Sequence, residues 1–175
     1  MSGSLPFKRL NFFNGKLLTA EDFELEQRYF REKLKLHNRS LHGFGIVSGL
    51  NVKVESKQIV VEPGLALDCE GNELVVDVKH LIVPPGTSDS RPKFLNVRFV
   101  EVGADLVPCG EGEEPATIVE GFEFALAAEN SNRSHRHLRA RWLACGQPHA
   151  LTIAKLRLGA HGWRVDRAYR PPKTK

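Results

Sequence analysis

Several groups of residues have the types and spacing that could do chemistry. Residues 37–50, HNRSLHGFGIVSGL, set Gly43, Gly45 and Gly49 among apolar residues directly after a basic stretch. Glycine-rich joints cradle phosphate when a strand precedes the glycines and a helix follows, because free N–H groups at the helix N-terminus then meet the anion. Here the order is helix, glycines, strand. A helix C-terminus offers carbonyls, which repel phosphate, so a tight turn with close packing is the better reading. His37 and His42 bracket this joint, and His135 and His137 form a His-x-His pair that could set two metal ligands on one side of a strand. The arginine-rich surroundings, SNRSHRHLRAR, oppose a divalent cation and favour a solvated basic loop. His37 falls on an apolar stripe and is expected to be packed and hydrogen-bonded.

Other constellations are weaker still. Asp68, Glu70 and Glu73 lie close together, but the turn chemistry of CEGNE accounts for them, and the turn is expected to be exposed. No Gly-x-Ser-x-Gly elbow occurs, and Ser48 has no evident base. Cys69, Cys109 and Cys145 are widely separated with no Cys-x-x-Cys, which speaks against a disulfide framework or structural zinc site and for buried thiols. One long-range disulfide stays open. No catalytic group, metal or cofactor is expected. Arg133, Arg136, Arg139 and Arg141, with Trp142, make a basic patch that could bind phosphates. A contact with an acidic protein partner explains the same arginines at least as well, and nucleic acid is disfavoured.

These residues must be positioned by regular elements. Thr19 can cap a helix from about Ala20 to Leu41, with Glu21, Asp22, Glu24 and Glu26 at its start and Lys33, Lys35 and Arg39 at its end, as the helix dipole prefers. Phe23, Phe30, Leu34, His37 and Leu41 share one stripe; Leu25, Tyr29 and Leu36 widen the apolar surface. Such a helix must lie on a sheet or dock on a neighbouring subunit. Gly43 stands where a left-handed C-terminal cap is wanted. Beyond it the period becomes two. Residues 50–54 and 59–62 read as a hairpin about ESKQ, and residues 65–68 and 74–78 as short strands about CEGNE. Residues 94–102, 117–129, 142–146, 150–159 and 162–169 also read as strands. The acidic, glycine- and proline-containing stretch 103–116 reads as a loop, as do residues 129–141.

Composition sets the outer limits. An apolar fraction of 41% with 26% charged residues in 175 residues fits one globular domain. The formal net charge of +4 is too modest to demand a nucleic-acid partner. No run approaches the roughly 18 apolar residues of a membrane-spanning helix. The first residues lack the apolar core of a secretory signal, so the chain is expected to be made in the cytoplasm.

A longer pattern runs through the first elements. FFNGKLLTAEDFELEQRYFREKLKLHNRSLHGFGIVSGLNV resembles the opening of a family of small proteins encoded with contractile phage tails and extracellular contractile injection systems. The match covers Phe13 to Leu50, with Ile46 where valine is usual. IVVEPGLALDCEGNELVV is similar to a β element shared with fibre-attachment domains, and FLNVRFVEVGADLVPC, TIVEGFEFAL and LTIAKLRL are similar to later strands of the family.

The resemblance implies a structural subunit at the baseplate, or an adaptor attaching a fibre, acting by protein contacts in a homo-oligomer within a particle. The residues and the resemblance together give an α+β, mainly β fold: a long N-terminal helix followed by an antiparallel, sandwich- or barrel-like β domain. Residues 1–43 form the arm and helix, 44–170 the β domain and 171–175 a disordered tail, one structural domain overall. His37, Asn38, Arg39, His42, Gly43, Gly45 and Gly49 make the joint. The polar four bond backbone groups freed at the corner, and Gly45 and Gly49 let helix end and strand approach. Phe23, Leu25, Tyr29, Phe30 and Leu36 face another subunit, with Leu25, Tyr29 and Leu36 as the stripe it covers. A receptor- or carbohydrate-binding module is the alternative, for which Trp142 or Trp163 would be exposed.

Overall fold

The computed structural model describes residues 7–86, 88, 90–133, 145 and 150–174. Helix α1 runs Ala20–His37. Its start is fixed locally: the Asp22 carboxylate accepts from the Thr19 N–H at 3.3 Å and pairs with Lys16 at 3.3 Å. This carboxylate therefore occupies a backbone donor that the helix cannot satisfy itself. The helix does not continue as α to Leu41. Residues Asn38–His42 form one π-helical turn, closed by the Gly43 N–H donating to the Asn38 carbonyl at 3.2 Å. Gly43 has φ 77° and ψ −155°. That is a glycine conformation, but an extended one; the expected left-handed helical cap is replaced by a sharper exit.

Among the described residues ten strands follow: β1 Gly45–Gly49, β2 Val52–Glu55, β3 Gln58–Val61, β4 Gly64–Leu67, β5 Glu73–Val76, β6 His80–Ile82, β7 Lys93–Cys109, β8 Gly112–Ala127, β9 Leu151–Gly159 and β10 Gly162–Val165; the strand expected over 142–146 lies outside them but for Cys145. They make three antiparallel sheets, ordered β1-β4-β5, β2-β3-β6 and β10-β9-β7-β8. The α+β, mainly β architecture is the expected one. The β2–β3 hairpin turns at Ser56 and Lys57, both with positive φ, a turn whose twist matches that of the strands. Inward residues of all three sheets meet in one core that includes Ile59, Val61, Leu74, Val76, Leu95, Val97, Leu151 and Leu156.

Three expectations are corrected. The second half of the glycine joint is itself a strand: β1 pairs with β4, with Gly45 opposite Leu67 and Gly49 opposite Gly64. Residues 103–116 are not a loop. They complete a long two-stranded ribbon in uniform register from Phe94 opposite Ala127 to Cys109 opposite Gly112, turning at Gly110 with φ 62°. Pro108 and Pro115 are tolerated because each ribbon strand has an unpaired outer side where a missing N–H costs nothing. Residues 171–174 are not a free tail. Ile46 donates to the Pro172 carbonyl at 2.9 Å and Thr174 donates back to the Ile46 carbonyl at 3.2 Å, a parallel bridge onto β1.

Candidate functional site

The helix corner is built against the turn between β4 and β5. Asp68, 3% exposed, organises that turn. Its carboxylate accepts from the N–H of Glu70 at 2.9 Å and of Asn72 at 2.8 Å, and from the Asn72 amide at 2.8 Å. Turn chemistry does explain this carboxylate, but the site is buried. The π turn presents Asn38, also buried, whose Nδ2 donates to the Gly71 carbonyl at 3.0 Å and to Glu73 Oε1 at 3.3 Å. Arg39 Nη1 donates to the Glu70 carbonyl at 3.1 Å. Two of the four polar joint residues thus bond a neighbouring turn instead of the helix's own end. His37 and His42 are exposed, rings 5.7 Å apart, so His37 is not the packed histidine its stripe suggested.

The close approach at this corner also belongs to a glycine outside the joint. A Cβ on Gly71, φ 92°, would stand 2.2 Å from the Lys35 carbonyl oxygen. Gly45 and Gly49 make room elsewhere. A Cβ on Gly45 would stand 2.7 Å from the Pro172 carbonyl, and one on Gly49 2.1 Å from the Pro63 carbonyl. The corner is therefore locked by Asn38, Arg39 and Gly71.

Beyond the corner, no residue of α1 is buried. The arm lies along one side of the helix. The Leu10 N–H donates to Glu26 Oε2 at 3.3 Å, the Phe7 ring meets Tyr29 edge-on at 6.4 Å, and Lys33 Nζ sits 5.3 Å from the Phe7 ring centre. Leu25, Tyr29 and Leu36 are half-buried. The open stripe is the other one: Phe23 is 56% exposed, Phe30 61%, Leu34 52% and Leu41 58%. Phe12, Phe13 and Leu17 in the arm are exposed as well. These arm residues were not singled out from sequence, because without a period an isolated aromatic cannot be told from a packed one.

The second projecting element is the distal ribbon, exposed on both strands from Glu101 to Glu120 apart from a half-buried Ala104. At about 3.4 Å per residue it extends roughly 30 Å beyond its sheet. Val102 pairs across to Val119 and Leu106 to Pro115. All charged residues on it are acidic: Glu101, Asp105, Glu111, Glu113, Glu114 and Glu120. Glu101 stands opposite Glu120, a like-charge pair eased by Arg31 of α1, whose Nη1 lies 3.1 Å from Glu101. Helix and ribbon thus touch at the ribbon base.

Of the basic patch, Arg133 is exposed. Arg136, Arg139, Arg141, Trp142 and the His135–His137 pair lie outside the described residues. Residues 131 and 132, which precede them in the chain, are anchored to β9. The Asn132 amide donates to the Thr152 carbonyl at 2.8 Å, the Thr152 N–H donates to Asn132 Oδ1 at 2.9 Å, and the Ser131 N–H donates to Thr152 Oγ1 at 3.0 Å. Trp163 is buried, and its Nε1 donates to the Pro85 carbonyl at 2.9 Å. It is not the exposed aromatic that carbohydrate recognition would need.

Cys109 is exposed at the ribbon tip. Cys69 and Cys145, far apart in the chain, are brought together beside Glu70. Burial pushes the Cys145 thiol up, against a lowering by its hydrogen bond with Cys69. Sequence spacing could not have found this pair.

With this geometry, the chain matches several solved structures. A chain of the type VI secretion TssK–TssF–TssG baseplate subcomplex aligns with TM-score 0.58 and 14% identity, over 95% of this chain and 62% of that one. A chain of the type VI baseplate complex aligns at 0.58 and 13% identity, over 96% and 42%. The crystal structure of TssK aligns at 0.55 and 10% identity, over 95% and 44%. The fold is shared with type VI secretion baseplate proteins. This chain spans between about two-fifths and three-fifths of those baseplate chains. No family model matches it, and comparison with curated sequences returned no match. Among the described residues, no helix is long and apolar enough to cross a membrane.

Proposed function

We propose that this chain is a non-enzymatic structural subunit of a contractile tail or injection-system particle, placed at the baseplate or as an adaptor attaching a fibre. It works by gripping other subunits, several copies in each particle, after synthesis in the cytoplasm. Phe23, Phe30 and Leu34 of α1, with Leu41 of the π turn, form the gripping face. Leu25, Tyr29 and Leu36 back it from the side of the arm, so the covered stripe of the sequence reading is exchanged for its neighbour. The basic stretch with Arg133, Arg136, Arg139 and Arg141 meets an acidic partner.

One observation carries this reading. An 18-residue helix with no buried residue holds three large apolar side chains, Phe23, Phe30 and Leu34, at more than half exposure, and Leu41 of the following π turn adds a fourth. A chain that stayed solitary would leave that surface in water, at a cost that covering it removes. The fold shared with chains of type VI secretion baseplate complexes supports the same placement. The test is to purify particles from cells that make the whole assembly and quantify this chain in them by mass spectrometry. A fixed ratio to the other particle proteins is expected. Absence from intact particles would sink the proposal.

A further inference from the structure

We propose that Cys69, Glu70 and Cys145 form a binding site for a thiophilic divalent cation of the zinc class. Their two sulfurs and a Glu70 carboxylate oxygen all lie within 4.8 Å of one another. Zinc bonds of about 2.3 Å to sulfur and about 2.1 Å to oxygen hold tetrahedral ligand atoms roughly 3.5–3.8 Å apart. Side-chain adjustment of about 1 Å closes the set. Two thiolates with one carboxylate select zinc-like ions over magnesium or calcium, which take oxygen donors alone. Water completes the fourth position.

The demand for a cation is visible in the site itself. Glu70 Oε1 is buried with no hydrogen-bond partner among the described residues. A buried, unsatisfied carboxylate oxygen is costly, and a bound cation removes that cost. The turn also holds its ligands in place. Asp68 accepts from the Glu70 N–H and Arg39 donates to the Glu70 carbonyl, so residues 69 and 70 are fixed from both sides. The Arg39 guanidinium offsets the excess negative charge of three anionic ligands. A bound ion would tie Cys145 to the same turn that locks the helix corner, which joins a distant part of the chain to the base of α1. This site does not depend on the docking reading.

The test uses the full chain, reduced and stripped of metal, titrated with cobalt(II) and then with zinc. One equivalent of cobalt is expected, with thiolate-to-cobalt charge-transfer absorption, release of protons from the thiols and displacement by zinc. C145S and C69S should each weaken binding more than about 100-fold, beyond the 10–100-fold that follows loss of an outer-shell partner. E70Q should weaken it at least about 10-fold while keeping the charge-transfer band, and C109S should bind like the parent. Cys69 is buried, so C145S, at a partly exposed position, carries the test if C69S does not fold. Three results would overturn the site: no charge-transfer band in the reduced protein, a band that C145S retains, or a band that C109S removes.

Discussion

Serine at both Phe23 and Phe30 separates gripping from folding. Phenylalanine and serine have similar helix propensities, so the exchange removes apolar area with little change in the helix itself. A phenylalanine side chain presents about 200 Å². At 61% and 56% exposure, roughly 120 and 110 Å² of it face water in the free chain. Covering half of either area in a particle is worth about 1.5 kcal/mol at ~25 cal/mol per Å², or roughly 10-fold in affinity. F23S/F30S together should weaken incorporation about 100-fold, the product of the two single effects when the anchors act independently. Folding should barely notice: exposed substitutions lie within about 0.5 kcal/mol, a shift of ~1–2 °C in Tm for a chain of this size. The assay pairs a thermal melt of the purified variant with its share in particles when co-expressed against the tagged parent. A fall in Tm of more than about 5 °C would mean that the stripe packs within its own chain. Incorporation equal to the parent would refute the gripping face.

Further outcomes follow from the corner and the C-terminal turn. Gly71→Ala combines a left-handed φ with a Cβ 2.2 Å from the Lys35 carbonyl, so the helix end must move. Hydrogen exchange at residues 34–43 should quicken and stability fall by about 1–3 kcal/mol; unchanged exchange would contradict the contact. Asp68→Ala strands the Glu70 and Asn72 donors in a buried turn and should cost about 2–4 kcal/mol by urea unfolding. A loss below about 1 kcal/mol would show that water replaces the carboxylate. The Asp166 carboxylate is held below the usual range by the Ala168 N–H and by Arg157, against a smaller raising effect of burial. Its folded pKa is depressed, so its stabilisation is present above about pH 4 and lost as pH falls through the lowered value. Asp166→Asn should therefore lower stability at neutral pH and flatten its acid dependence. An acid profile parallel to the parent's would exclude this linkage.

Much of the fold is legible because its causes are local. Acids at one end, bases at the other and a 3.6-residue apolar period mark α1 without reference to the rest of the chain. Ser56-Lys57 between two alternating runs marks a hairpin in the same way. The end of α1 is less legible. The π turn at Asn38–His42 exists because Asn38 and Arg39 find partners in a turn some thirty residues away. Nor does composition reveal that Gly71, at the tip of a polar turn, is the glycine the helix presses on.

From the residues alone came the class of the molecule, a helix followed by antiparallel strands, because periods of 3.6 and 2 are properties of neighbouring residues. Tertiary structure decided the rest. It left Phe23 and Phe30 open and half-covered Tyr29, because the arm lies on one side of the helix. It made residues 103–116 a ribbon, because glycine and proline end a strand only where a neighbour needs their N–H groups or side chains. It set Cys69 beside Cys145 and bridged residues 172–174 to β1, contacts between distant segments that no local pattern encodes.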